Sequence, residues 1–212
     1  MVSYVRPSRL APNGGAVSPH ETPPLPRRLP KAQRRAQLLA AARDLIREEG
    51  TDRLTLGRLA ERAGVAKPLV YDHFGDRSGV LAELYREFDA RQHAALDAAL
   101  AQVEPDLDAV ADLMAGAYLD CARAEGRELA DVLSALTGSP TLERLRRDAT
   151  DAYLAKCRSA LAPVARTPVD SAGLHAVAGA ADALSRASLA GELDEGRARR
   201  ALARIIVTVA GG

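Results

Sequence analysis

The run from Gly50 to Tyr85, GTDRLTLGRLAERAGVAKPLVYDHFGDRSGVLAELY, holds the side chains best suited to grip a polyanion. Lys67, Pro68, Leu69, Tyr71, Asp72 and His73 fall outside the inner face of a short helix, and Arg58 and Arg62 stand four apart on the outer face of the helix before it. Cationic and hydrogen-bonding groups on two short helices hinged at a glycine suit the phosphates and base edges of duplex DNA. Catalytic chemistry has no comparable support. His20, His73, His93 and His175 are scattered, and the chain carries no HExxH, no glycine-rich phosphate loop after a strand, no GxSxG and no His/Cys grouping at metal-ligand spacing. The sequence therefore reads as a binding protein and not an enzyme, with no catalytic residue, metal or cofactor expected.

Helix boundaries explain how those side chains are held. Thr55 is suited to N-cap a helix over 55–63, whose Leu56, Leu59, Ala60 and Ala63 share one face. Gly64 permits the left-handed conformation that ends that helix and turns the chain sharply. Val65 is expected to plug the core. Pro68 sits near the start of a second helix, about Lys67 to His73, where a missing N–H is harmless. Val70 and Phe74, four apart, form its inner face. So short a helix needs neighbours. Upstream, Leu38, Leu39, Ala42, Leu45 and Ile46 make an amphipathic helix stopped by Gly50; downstream, Asp76 caps a long helix with Val80, Leu81, Leu84, Tyr85 and Phe88 on one stripe.

Thr55, Ala63-Gly64-Val65, Lys67, Tyr71, His73, Phe74 and Arg77 together make residues 31–85 resemble the N-terminal head of TetR-family transcriptional regulators. The resemblance is specific over that span and looser afterwards. Two departures stand out. Ala66 occupies a position where the family commonly has Ser or Thr, removing a side-chain N-cap worth about 1 kcal/mol. Asp72 stands where a neutral or aromatic residue is common; an acid there suits the cytosine amino group in a major groove, or a neighbouring arginine.

The resemblance implies an all-α fold: a three-helix helix-turn-helix head at 31–76 and a helical effector-binding and dimerisation domain at 77–212. It implies that Thr55, Lys67, Tyr71, His73 and Arg77 contact phosphates, that Pro68, Leu69 and Asp72 face base edges, and that Arg58 serves either class. It also implies a homodimer on a near-palindromic operator, repression as the usual mode, and release by a small-molecule effector.

From about residue 76 the pattern is continuously helical, with breaks at Pro105, Gly126, Gly138 to Pro140, Pro163 to Pro168 and Gly191. Helices are expected near 77–102, 106–124, 127–136, 141–161, 169–190 and 195–209. In the last two, Gly173, Ala176, Ala180, Ala183 and Ala187 form a small-residue stripe, and Ala198, Ala201, Leu202, Ile205, Ile206 and Val209 an apolar face. These faces suit a twin chain, although alanine-rich helices also pack within one chain. For the effector pocket, Met114, Tyr118, Cys121, Tyr153, Cys157 and His175 mix apolar bodies with polar tips, each equally able to be plain core. Aromatic residues make up only 3% of the chain, which argues against a pocket built to stack planar molecules.

A formal net charge of +1 conceals a polarity. Residues 1–80 hold 14 Lys/Arg against 8 Asp/Glu, and residues 81–212 hold 15 against 20, so the head is basic and the body acidic. Ordinary surface variation can produce a split of this size. Residues 1–30, rich in Pro and Gly, read as a disordered tail. The cluster Arg27, Arg28, Lys31, Arg34 and Arg35 after it could enter a minor groove or simply stay solvated. Two cysteines, no apolar run of membrane length and no apolar N-terminal segment point to a reducing cytoplasm and no membrane. Cys121 and Cys157 read as inert thiols more readily than as a redox pair. The rival reading of the whole chain is a helical small-molecule carrier or scaffold without sequence-specific DNA binding, which leaves the capped, glycine-hinged pair and the basic head unexplained.

Overall fold

The computed structural model describes residues 29–101, 106–137 and 139–212, in helices and connecting turns only. Most of the expected tail, with Arg27 and Arg28, lies outside the described residues, as do Pro105 and Gly138. Helices α1 (Lys31–Glu49), α2 (Leu56–Ala63) and α3 (Lys67–Phe74) form the head. Helices α4 (Arg77–Leu100), α5 (Leu107–Leu136), α6 (Pro140–Leu161), α7 (Ser171–Leu189) and α8 (Glu195–Gly211) form the body. A 3-10 turn over Thr51–Arg53, unforeseen in the sequence, bridges α1 and α2.

Short polar residues start most of these helices. Thr55 Oγ1 accepts the Arg58 amide at 3.2 Å, and Asp76, Asp106, Asp170 and Asp194 accept the amides of Gly79, Ala109, Gly173 and Arg197 in the same way. Ala66 starts α3 with no side-chain cap. Gly64 ends α2 at φ 65°, ψ 37°, the left-handed geometry that sets α3 across α2. The break expected at Gly126 is present within α5, at φ 61°, ψ −149°, a backbone state almost confined to glycine.

Packing divides the interior into two clusters. The head cluster gathers Leu38, Leu45, Leu54, Leu59, Val70 and Leu81 with Val132, Leu136 and Leu142 of α5 and α6, so the head rests on the body through continuous apolar contact. The body cluster runs from Leu96 and Met114 to Leu161, Leu174, Leu202 and Ile206. This divides the apolar face expected on α8. Ala198, Leu202 and Ile206 are buried within the chain, while Ala201, Ile205 and Val209 are only half-buried on the adjoining stripe. Gly173 likewise serves the single chain: a Cβ there would lie 2.6 Å from Val209 Cγ1, so the glycine is what lets α7 approach α8.

Candidate nucleic-acid interface and internal cavity

On α3, Val70 and Phe74 are buried as their spacing requires, and Lys67, Pro68, Tyr71 and Asp72 are exposed. Tyr71 is 53% exposed, a large apolar ring held in solvent at the tip of the head. Leu69 is half-buried. Asp72 has no ion pair or side-chain hydrogen bond among the described residues, so none of the described arginines holds it. Lys67 lies over the first turn of α2, where a Cβ on Gly57 would meet its Cε at 3.0 Å and Thr55 Oγ1 at 3.9 Å. The absent side chain of Gly57 thus leaves room for a lysine stem beside Thr55 and the unpaired amides that open α2, a juxtaposition suited to an anion.

Other expected contacts have tasks inside the protein. Arg77 donates from Nε to the Leu54 carbonyl at 3.1 Å and from Nη2 to the Thr51 carbonyl at 2.8 Å. Arg58 holds both oxygens of Glu49, at 2.8 and 2.5 Å, and Arg62 holds Glu48. His73 is half-buried, not outward-facing, and its Nδ1 is sealed from solvent with no hydrogen-bond partner among the described residues. Burial, helped by the positive charges of Lys31 and Arg35, pushes the His73 imidazole below its ordinary range and keeps it neutral. Of the basic cluster ahead of α1, Arg35 is engaged: it pairs with Glu83 at 2.6 Å, lies 5.3 Å from the Phe74 ring centroid and donates to the His73 carbonyl at 3.2 Å. Lys31 stays exposed and Arg34 is half-buried, bonded to Gln37.

Further ion pairs join head to body. Arg43 reaches Glu87 and Glu128, and Arg47 donates to Glu128 at 3.1 Å. Burial lifts the Glu128 carboxyl above the ordinary range, opposed by those two guanidinium groups. Arg91 clamps Glu125 at 2.6 and 2.8 Å. Glu125 and Glu128 flank the break at Gly126, so α5 is tied to α4 and to α1 where its helix is interrupted.

The body encloses a cavity of about 540 Å³ between α4, α5, α6 and α7, within the size range of small-molecule sites. Of the residues named from the sequence as effector-pocket candidates, Met114, Tyr118, Tyr153, Cys157 and His175 line this cavity. Cys121 does not; it packs against the head cluster instead. The low aromatic content proves a poor guide, because four of the chain's seven Phe and Tyr residues, Tyr85, Phe88, Tyr118 and Tyr153, line this one cavity. Tyr118 donates to Asp182 at 2.5 Å, and Tyr153 stands edge-on to His93 with centroids 5.3 Å apart. Burial pushes the Cys157 thiol up to about 12 and raises Cys121 as well, so both thiols are protonated at neutral pH. Among the described residues no helix is long and apolar enough to cross a membrane, and no group of three or more His, Cys, Asp or Glu could hold a metal ion.

Comparison with known proteins agrees with this geometry. The family model described as bacterial regulatory proteins, tetR family, matches residues 38–84. The HTH-type transcriptional activator FasR of Mycolicibacterium smegmatis is 41% identical over 63 residues, 29% of either chain. The class A tetracycline repressor protein from transposon 1721 of Escherichia coli is 41% identical over 56 residues, 26% of either chain. The matched segment thus spans under a third of these curated relatives. Beyond it the likeness is one of fold. The fatty acid degradation regulator FadR of Bacillus halodurans superposes with a TM-score of 0.70 at 17% identity, over 84% of this chain and 96% of its own. SmeT, solved as a complex with triclosan, superposes with a TM-score of 0.65 at 18% identity, over 83% and 90%. Residues 38–84 thus carry the sequence of the N-terminal domain of bacterial regulatory proteins of the tetR family, and the chain as a whole shares the fold of the solved regulators it superposes on.

Proposed function

We propose that this chain is a DNA-binding transcriptional regulator, a repressor, that reads a near-palindromic operator as a homodimer and is released by a small molecule bound in the body cavity. The head at 31–76 reads DNA; the body at 77–212 dimerises and holds the effector. The observation that carries this reading is the surface of α3, where Lys67, Pro68, Tyr71 and Asp72 project from a helix whose other side is locked into the core. Lys67, with Thr55 and the start of α2, takes one phosphate, and Tyr71 takes another. Pro68 and Asp72 face base edges, Asp72 accepting from a cytosine amino group. Leu69, half-buried, offers its outer edge to a thymine methyl. His73 and Arg77 act from behind, by holding α3 and the 3-10 turn, and Arg58 reaches DNA only by leaving Glu49.

One short helix reads only a few base pairs, so the head needs a twin. The half-buried stripe of Ala201, Ile205 and Val209 on α8, beside exposed Ala176 and Ala183 on α7, is the surface offered to it. An effector controls DNA binding only by preferring one spacing of the two heads. The cavity, and the triclosan complex of a protein of the same fold, support a small molecule in that role. Repression follows the family's usual mode, although one matched relative is named an activator and the other a repressor. Such a protein works where the chromosome is, in the cytoplasm.

Selection of random double-stranded DNA on the purified protein, followed by sequencing of what is retained, tests the proposal. An enriched inverted repeat is expected. Retention that depends on salt but not on sequence contradicts operator reading.

A further inference from the structure

Two polar side chains in the cavity have no partner among the described residues. Gln92 of α4 is 8% exposed and Ser185 of α7 is 7% exposed; both line the cavity, and neither hydrogen-bonds another described residue. Their polar atoms are not sealed against apolar neighbours but keep access to the cavity. A buried amide and a buried hydroxyl so placed lose hydrogen bonds to water unless something in the cavity restores them. The same cavity is lined by Tyr118, whose hydroxyl is committed to Asp182, and Tyr153, its ring centroid 6.4 Å from that of Tyr118. Much of the remaining wall is apolar, with Phe88, Met114, Leu161, Leu174 and Ile206.

Ionic groups on the lining cancel. Asp182 is engaged by Tyr118 and stands 4.0 Å from Arg186, Asp89 is 3.6 Å from His93, and Arg146 is exposed to solvent. Among the described residues no charged lining residue is both buried and unpaired. Arg146, the unpaired cation among the described lining residues, is exposed, where solvent screens it, so a charged group inside the cavity would meet no buried counter-charge and would carry a desolvation cost. A pure hydrocarbon would leave Gln92 and Ser185 unsatisfied.

We propose that the cavity takes an uncharged, mainly hydrocarbon molecule carrying a carbonyl or hydroxyl group, which Gln92 and Ser185 hydrogen-bond. This rests on the reading of the cavity as the effector site, and deepens it. The matched probes are 2-undecanone, undecane, undecanoate and undecyltrimethylammonium, each titrated calorimetrically into the full-length protein. 2-Undecanone is expected to bind at least about 10-fold more tightly than the other three. Gln92→Leu and Ser185→Ala should each weaken it by about 3- to 10-fold, the loss of one hydrogen bond, and should not weaken undecane, which no longer leaves that polar group unsatisfied. Gln92→Leu should not lower the melting temperature, because it removes an unpaired polar group and keeps the apolar bulk, so weakened binding will not reflect unfolding. Tighter binding of either ion, absence of binding by all four probes, or indifference of 2-undecanone to both substitutions overturns the proposal. Retention of operator DNA, followed in the same samples, separates the two ideas. A ketone that binds without releasing DNA keeps the ligand class and removes the effector role; an ion that binds and releases DNA does the reverse.

Discussion

Arg77 Nη2 lies 2.8 Å from the carbonyl oxygen of Thr51, and with the Nε bond to Leu54 it fastens the start of α4 to the 3-10 turn between α1 and α2. A cation that sequence resemblance assigns to phosphate is thus satisfied inside the head. Hydrogen bonds from a charged donor contribute about 1.5–3 kcal/mol each, and their loss leaves carbonyls without partners. Arg77→Ala is expected to lower unfolding stability by about 2 kcal/mol in urea titrations. DNA affinity, corrected for the folded fraction, should change far less than it does in Tyr71→Ala.

The proposed function divides the exposed face of α3 between affinity and sequence choice. If Tyr71 meets the DNA backbone as proposed, Tyr71→Ala should weaken binding to all operators alike, by about 1 kcal/mol. Asp72→Ala should relax preference at one base pair, where a bidentate or charged contact discriminates by about 1–3 kcal/mol. Anisotropy titrations on a panel of single-base operator variants separate the two. Equal effects of both substitutions on every variant would remove Asp72 from base reading.

The sealed Nδ1 of His73 makes the head sensitive to acid. Because its folded pKa lies below the unfolded value, the unfolded chain binds the proton more readily, and stability falls as pH drops below about 6.5, the ordinary histidine value. Above that pH the imidazole is neutral in both states and contributes no slope. Melting temperatures measured from pH 7.5 to 5.0 should fall more steeply for the wild type than for His73→Asn. Parallel curves would mean that protonation of His73 is tolerated.

At Gly173 the expected cost is steric. A methyl there would meet Val209 Cγ1 at 2.6 Å, and the β-branched valine has little freedom to yield. Gly173→Ala should destabilise by about 1–3 kcal/mol despite the better helix propensity of alanine. Adding Val209→Ala should recover part of that loss in a double-mutant cycle. Additive losses would show that the contact is not shared.

Much of the head was legible because its signals are local. Thr55, Gly64, Asp76 and Gly126 each announce a helix end by their own backbone or side-chain chemistry, and the apolar spacing from Leu38 to Phe88 places the core without knowledge of the fold. The contacts that fix the site arise from pairing across the chain. Arg43 with Glu87, Arg47 with Glu128 and Arg77 with Thr51 join residues 44, 81 and 26 positions apart, and no short window of sequence contains both partners. The same limit explains Cys121: helical spacing alone did not tell which side of α5 meets the cavity and which meets the head cluster. Composition misled about the aromatic residues because it averages over the chain, whereas the fold brings four rings to one place.

The most direct test of the account is the affinity of the protein for its selected inverted repeat before and after about 5 base pairs, half a helical turn, are inserted between the halves. Two α3 helices held by one dimer predict that the insertion rotates the second half-site to the far face of the duplex and reduces affinity to that of a single half-site. Unchanged affinity would contradict paired reading and leave each head binding alone.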